Sequence, residues 1–119
     1  MRRLLAMALL LLPGLALAQE WEPKGEAELQ LLDKVSARIS ILRAPVGEPI
    51  QVGALTVRVA ACNARPLDEV PDAAAFIEVS DSRRAAGAQL VFRGWMFANA
   101  PGVSMLEHPV YDLRVLACK

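Results

Sequence analysis

Two cysteines constrain the fold of this chain more than any other feature. They are Cys62 and Cys118, and each ends an aliphatic run, VRVAAC in the first case and LRVLAC in the second. Short runs of β-branched and aliphatic residues are typical of buried strands. If the two cysteines are bonded, both strands reach the bond from the same direction. They then either run parallel as neighbours in one sheet or face each other from two sheets.

The first 18 residues have the pattern of a cleavable export signal. Two arginines precede an apolar run, Leu4–Leu12, and a small-x-small tripeptide ends at Ala18, just before Gln19. A membrane anchor is the alternative, but a helix needs about 20 apolar residues to cross a bilayer. The pattern therefore predicts a signal peptide over residues 1–18 and a periplasmic mature chain without a membrane span.

Export would place the two cysteines in an oxidising compartment, where a disulfide is the expected state of such a pair. A zinc site is the less favoured alternative, because two cysteines and the single histidine leave a four-ligand site incomplete and the chain has no CxxC pair. A reactive thiol is the other alternative. We expect a structural bond between Cys62 and Cys118, no metal ion and no cofactor.

The charge balance argues against two classes of partner. The chain has 13 Lys and Arg against 13 Asp and Glu, and loss of Arg2 and Arg3 with the leader makes the mature net charge −2. Nucleic acids and anionic membrane surfaces are bound by clustered basic residues, which this sequence lacks. The length of the mature chain is that of one domain with a modest core.

Short alternating segments separated by turn residues run through most of the mature chain. The polar segment 19–30, which contains Pro23 and Gly25, predicts a flexible N-terminal arm. Residues 31–119 contain about six strand patterns, with turns every 8 to 12 residues and no helical stripe. The expected fold is all-β: a small antiparallel β-sandwich or barrel with one disulfide, preceded by the signal peptide.

In the first of these patterns Val35, Ala37, Ile39 and Ile41 form the apolar face, so we expect them to be buried.

A later strand pattern carries one of the two tryptophans, Trp95. Phe97 lies on the same side of that strand, because side chains two residues apart share a face. Core packing is the predicted role of both aromatic residues. An exposed aromatic patch for a protein partner is the alternative.

The segment from Asn99 to Pro109 predicts a loop that presents a functional surface. It contains His108, the only histidine, and Pro109 holds His108 extended, so Glu107 and His108 should point to opposite sides. A histidine that bonds backbone just before a strand is the simplest interpretation. Catalysis with Ser104 or Glu107 is disfavoured, because no G-x-S-x-G elbow surrounds the serine. The candidate partner-binding residues are Trp95, Met105, Glu107, His108 and Tyr111.

The blocks PVGEPIQVGALTVRVAAC and GWMFANAPGVSMLEHPVYDLRVLAC resemble a family of short exported alphaproteobacterial proteins that is described only as a domain of unknown function. The resemblance extends from Leu32 to Cys118 and implies no catalytic residues. It also implies a neighbourhood with the gene of a small accessory subunit of respiratory complex I.

These observations favour a non-enzymatic periplasmic binding or assembly module with a protein partner in the cell envelope. A sharper form of this hypothesis is an accessory protein on the periplasmic side of a respiratory or envelope complex. A small hydrolase that uses His108 is the alternative from another class.

Overall fold

The computed structural model describes residues 20–119; the predicted signal peptide and Gln19 lie outside the described residues. The described chain contains eight strands and no helix. The strands are β1 (Glu22–Pro23), β2 (Glu26–Asp33), β3 (Arg38–Pro45), β4 (Pro49–Val52), β5 (Leu55–Ala64), β6 (Ala73–Asp81), β7 (Leu90–Phe97) and β8 (Tyr111–Cys118). Over residues 20–119 there is accordingly no helix of the length and apolarity that a membrane span requires.

The strands form two antiparallel sheets. The five-stranded sheet has the order β1-β5-β6-β7, and β4 also pairs with β5; the three-stranded sheet has the order β3-β2-β8. Every pairing in both sheets is antiparallel. The predicted all-β antiparallel fold is therefore confirmed, and its form is that of a sandwich.

The core lies between the sheets, and alternation along each strand builds it. In β6, Ala75, Ile77 and Val79 are buried while Phe76 and Glu78 point outward, because successive side chains in a strand take opposite faces. The fully buried large side chains are Leu29, Leu55, Val57, Val59, Ile77 and Val79. Four of these six are β-branched, and none is aromatic, so the core between the two sheets is thin.

The disulfide joins the two sheets. Cys62 lies in β5 of the five-stranded sheet and Cys118 in β8 of the three-stranded sheet; both are buried, and their Cα atoms are 5.6 Å apart. The predicted bond is confirmed. Of the two arrangements that the cysteine contexts allowed, the structure has the one in which the strands face each other from two sheets.

The prediction of a flexible arm over residues 19–30 is wrong where this segment forms strands. Glu22–Pro23 is β1, and residues 26–30 belong to β2, the central strand of the three-stranded sheet, so the domain begins well before residue 31. Ala27 and Leu29 are fully buried and alternate with the polar Glu26, Glu28 and Gln30. The polar residues that suggested an arm are the outward face of a strand.

The predicted apolar face of the next segment is also wrong. The chain turns at residues 34–37, and Val35, Ile39 and Ile41 are 80%, 61% and 55% exposed. Ala44 is buried and Leu42 packs against the core instead. The alternation correctly predicted a strand. However, the five-stranded sheet covers only the side of β3 that contains Leu42 and Ala44, so the opposite side stays exposed.

Removal of the disulfide should destabilise the domain without abolishing its sheets. The bond closes a loop with a sequence separation of 56 residues, and the chain-entropy model assigns about 4 kcal/mol to such a loop. The Cys62→Ala, Cys118→Ala double variant should therefore unfold at a much lower urea concentration. Mass spectrometry of the wild-type protein under non-reducing conditions should find no free thiol. Equal urea midpoints for the two proteins would contradict a stabilising bond.

Candidate functional site

His108 is buried and makes hydrogen bonds through both ring nitrogens. Its Nε2 lies 2.8 Å from Oδ2 of Asp81, and its Nδ1 accepts the backbone N–H groups of Val110 at 3.0 Å and Tyr111 at 3.2 Å. Because Nδ1 accepts two hydrogen bonds, it carries no proton, and Nε2 donates its proton to the carboxylate. The arrangement requires a neutral imidazole in one tautomer and an ionised aspartate.

Asp81 is the buried acid that holds this histidine. Its carboxylate also accepts the backbone N–H of Arg83 at 2.9 Å. The hydrogen bond from His108 and then that from Arg83 hold the pKa of Asp81 below its ordinary value, against the opposing effect of burial. Lys34 donates from Nζ to the carbonyl of His108 at 2.8 Å. The His108–Asp81 pair therefore ties β6, the loop after β7 and the turn after β2 together.

This geometry makes His108 a structural residue. His108 was expected on the exposed face of the loop, but only 7% of it is exposed. Its hydrogen bonds to the backbone just before β8 match the simpler expectation, a histidine that bonds backbone ahead of a strand. Glu107 is exposed on the other side, as predicted. General-base catalysis requires a ring nitrogen that can take a proton from the nucleophile. Both nitrogens of His108 are occupied within the protein, which argues against a hydrolase built on this histidine.

Tyr111 is a packing residue for the same region. Its ring lies 5.4 Å from that of His108, and its hydroxyl lies over the turn between β4 and β5 at Gly53. A Cβ atom at Gly53 would come within 2.8 Å of that hydroxyl, and the φ of +57° at this position also favours glycine. Tyr111 is half-buried, and its hydroxyl is directed at this turn.

Trp95 lies on the outer face of the five-stranded sheet. In β7 the inward residue is Met96, which is 3% exposed, whereas Trp95 is 40% exposed. The prediction that Trp95 and Phe97 pack in the core is wrong, because the even-numbered residues of β7 are the ones that point toward the core. Trp95 instead packs edge-on against Phe76, with ring centroids 5.5 Å apart. The alternative, an exposed aromatic patch, describes its position.

Trp95 forms one wall of an open cleft of about 270 Å³, which we call the aromatic cleft. Trp21, Asn63, Ala74, Trp95 and Phe97 line it. Ala74 pairs with Asn63 on one side and Phe97 on the other, so its methyl group forms the floor between larger neighbours. Asn63, Ala74 and Phe97 lie side by side on β5, β6 and β7, and the cleft exists because the central residue, Ala74, is small.

One cationic side chain contacts the aromatic cleft. The guanidinium of Arg65 lies 3.9 Å from the ring centroid of Trp21, a cation–π contact that orients the indole. Arg65 is also paired with Glu69 at 4.0 Å. Arg58 and Arg93 approach the single carboxylate of Glu78 at 3.6 and 3.5 Å, outside the lining of the cleft.

The five candidate residues from the sequence do not form one surface. Met105 is 55% exposed and lies in a separate groove between the loop and β8, while Trp95 lines the aromatic cleft. Pro101, Gly102, Met105, Asp112, Leu113 and Arg114 line that second groove. The structure therefore divides the predicted interaction region into two surfaces and places His108 inside the domain.

A third hollow is polar and is bordered by carboxylates, which are the oxygen ligands that calcium takes. Asp68, Glu69 and Asp72 border it. Over the described part of the chain, no group of three or more His, Cys, Asp or Glu side chains is arranged to hold a metal ion. Asp72 instead accepts the backbone N–H groups of Ala73 at 2.8 Å and Asn99 at 3.0 Å.

Two residues of this region, Asp81 and Trp21, could have been recognised from the sequence. Asp81 continues the inward phase of Ala75, Ile77 and Val79 in β6, and a buried carboxylate requires a partner such as the only histidine. Trp21 is a large aromatic residue in a polar segment, where it would be expected to find a packing partner. No local signal marks Asn63 or Ala74, because their role depends on the strands beside them.

The fold and the site define a disulfide-bridged antiparallel β-sandwich with an aromatic cleft on its outer surface. The chain belongs to a bacterial family described as an uncharacterized protein conserved in bacteria (DUF2155), whose model matches residues 27–118. The match runs from the start of β2 to the second disulfide cysteine. No curated protein and no solved structure matches the chain.

Loss of the His108 ring should destabilise the domain. His108→Ala leaves the Asp81 carboxylate and two backbone N–H groups without their partner, and buried polar groups without partners are strongly unfavourable. We expect the melting temperature to fall by roughly 10 °C. Glu107→Ala is the matched control, since its exposed side chain should leave the melting temperature unchanged. A stable His108→Ala protein would show that the buried pair is not a structural tie.

Stability should fall in acid because of Asp81. A carboxyl whose pKa is lower in the folded than in the unfolded protein contributes stability above the unfolded pKa and loses it as the pH falls through the folded pKa. Below about pH 4, the wild-type protein should therefore lose stability more steeply than Asp81→Asn, which has no proton to take up there. Urea unfolding at a series of pH values measures this. Parallel curves for the two proteins would exclude a contribution from Asp81.

Proposed function

We propose that the protein is a non-enzymatic binding module of the periplasm that holds a protein partner of the cell envelope in the aromatic cleft. The observation that carries the proposal is the exposure of Trp95 in an open cleft on a rigid sheet. Exposed tryptophans in apolar depressions are typical anchors of protein–protein interfaces. The unfilled floor at Ala74 leaves room for a side chain of the partner.

The size and lining of the cleft favour a protein side chain over a small-molecule cofactor. Its volume of about 270 Å³ lies below the range of ordinary ligand pockets, about 300–1,000 Å³. Such a space accommodates one aromatic or branched side chain. Asn63 offers an amide that can donate and accept a hydrogen bond to the partner's backbone. Arg65, which lies over the Trp21 ring, favours a partner with a carboxylate beside its apolar anchor.

The predicted signal peptide and the disulfide support the proposed location. The pattern of residues 1–18 predicts export from the cytoplasm, and a buried disulfide is stable in an oxidising compartment. Among envelope proteins, the resemblance described above points to a respiratory complex as one candidate partner. The proposal itself requires only a protein with an exposed apolar anchor and neighbouring acidic residues.

Two substitutions test the cleft from opposite directions. Ala74→Leu fills the floor and Trp95→Ala removes a wall, and each should weaken association by about 30-fold, as expected for a hot-spot contact. The tagged protein would be used to capture partners from detergent-solubilised envelopes, with quantitative mass spectrometry of what the wild type retains and the variants lose. The affinity for a captured protein would then be measured directly with purified components.

Met105→Ala is the matched control for this experiment, because Met105 is exposed on the separate groove. It should retain the partner at the wild-type level. Retention by both cleft variants together with loss by Met105→Ala would move the binding surface to the loop and contradict the proposal. Near-ultraviolet circular dichroism of each variant would establish that the fold is intact.

A further inference from the structure

The outer edge of β7 presents backbone groups that are directed away from the sheet. β7 is the last strand of the five-stranded sheet, and in its register with β6 Ala98 donates to the carbonyl of Ala73 at 2.9 Å. Bonded pairs alternate along an antiparallel ladder, so the even-numbered residues of β7 bond to β6 from Phe92 onward. The N–H and C=O groups of Arg93 and Trp95 therefore point to the free edge.

Nothing in residues 20–119 pairs with this part of the edge. The backbone bonds outside the ladders include none to Arg93 or Trp95, and on this edge only the carbonyl of Phe97 is used, by Ala100 at 3.4 Å. Natural sheets protect free edges with charged side chains, prolines or covering loops. β3, a free edge of the other sheet, has Arg38, Arg43 and Pro45. Arg93 is the single charged residue of β7, which has no proline, and its side chain is paired with Glu78.

We propose that this edge pairs with the same edge of a second copy of the chain, in an antiparallel two-fold dimer. Every antiparallel register centred on a residue keeps the outward residues of both copies on one face. The registers centred on Arg93, Gly94 and Trp95 pair the residues in the middle of the free edge. The first places Arg93 opposite Arg93 of the second copy, and like charges directly opposite one another are destabilising. That register is excluded.

The register centred on Gly94 has the best complementarity. It places Arg93 of each copy opposite Trp95 of the other, so two guanidinium groups meet two indole rings, the strongest of the cation–π pairings. Gly94 then faces Gly94 of the second copy at the two-fold axis, in a non-hydrogen-bonded pair, where Cα atoms come closest. No side chain separates the two backbones there. A register centred on Trp95 opposes the two indoles and replaces both Arg–Trp pairs with Arg–Phe pairs.

The dimer would make one continuous sheet from the two five-stranded sheets. Both aromatic clefts would lie on the same outer face, with the two β6 strands three strand spacings, about 14 Å, apart. This inference goes beyond the proposed function, since it stands on the backbone edge rather than on occupation of the cleft. It predicts a bivalent surface that can hold two anchors of one partner.

A proline on the free edge tests the dimer. The N–H of Arg93 points away from β6, so Arg93→Pro removes no bond of the ladder between β6 and β7 and should fold, because prolines occur on edge strands with the N–H side facing solvent. It removes an N–H that would bond to Trp95 of the second copy. Arg93→Ala is the matched control, because it loses the same side chain but keeps the N–H.

Sedimentation equilibrium of the mature protein from about 10 μM to about 1 mM, a range in which weak interfaces associate, gives the mass of each protein. We expect a monomer–dimer equilibrium for wild type and Ala74→Leu, and at least about 10-fold weaker association for Arg93→Pro than for Arg93→Ala, the equivalent of 1.4 kcal/mol. A monomeric wild type over the whole range overturns the proposal, as does association that is equally strong in Arg93→Pro and Arg93→Ala. Ala74→Leu fills the aromatic cleft but leaves the edge of β7 intact, so it should dimerise as the wild type does. Its mass therefore distinguishes a failure of the dimer from a failure of the cleft to bind a partner.

A cysteine at the axis tests the register. A Cβ atom at Gly94 would lie 3.5 Å from the Phe92 ring and 3.7 Å from Oγ of Ser104, which are ordinary contacts, and Gly94 does not have a positive φ. Cα atoms about 4.5 Å apart in a non-hydrogen-bonded pair are close enough for a disulfide. Gly94→Cys should therefore form a covalent dimer under mild oxidation, seen on a non-reducing gel. Val35→Cys, in the exposed turn after β2, is the control and should remain monomeric. Absence of the Gly94→Cys crosslink overturns the register centred on Gly94.

Discussion

The bond between Cys62 and Cys118 fixes the two sheets at the end of the domain where the aromatic cleft lies. The core is thin, with mostly small or β-branched side chains between a five-stranded and a three-stranded sheet. Cys62 pairs in register with Ala75, directly beside the floor residues Asn63 and Ala74. The disulfide therefore holds the strands that shape the cleft. A cleft of this kind requires a rigid floor, because a mobile one would lose affinity to the ordering of side chains on binding.

The buried His108–Asp81 pair ties the opposite end of β6. Asp81 ends the strand whose beginning lies beside the disulfide, and His108 belongs to the loop that leads into β8. One tie is covalent and the other is a hydrogen bond between an aspartate and a neutral histidine. Together they hold the five-stranded sheet to β8 at one end and to the loop that leads into β8 at the other. The residue that suggested chemistry in the sequence has its hydrogen-bonding capacity used within the fold.

Three surfaces of one strand have three different roles. The inner face of β7 contributes Met96 to the core, its outer face contributes Trp95 and Phe97 to the cleft, and its free edge presents unpaired backbone groups. The binding surface that we propose therefore lies on the face of a sheet and not on the loop from Asn99 to Pro109. That loop covers the opening between the sheets with the buried Leu106 and His108.

Local sequence determined the type of each element. The cysteine pair and the short alternating segments between turn residues predicted an all-β chain with one disulfide, because backbone geometry and turn chemistry act over a few residues. Segments in which polar residues alternate with a few apolar ones were misjudged, as in β2, because their apolar face is recognisable only once a second sheet covers it.

Only the tertiary structure decided which face of each strand is buried. A period of two defines two faces but does not say which one meets another sheet, so Ile39 and Ile41 are exposed, while Met96 is buried in place of Trp95. The same limit applies to the site: Asn63, Ala74 and Phe97 become neighbours through register between three strands, and His108 meets Asp81 across 27 residues of chain. Contacts of this kind depend on the pairing and packing of distant segments, which no local pattern encodes.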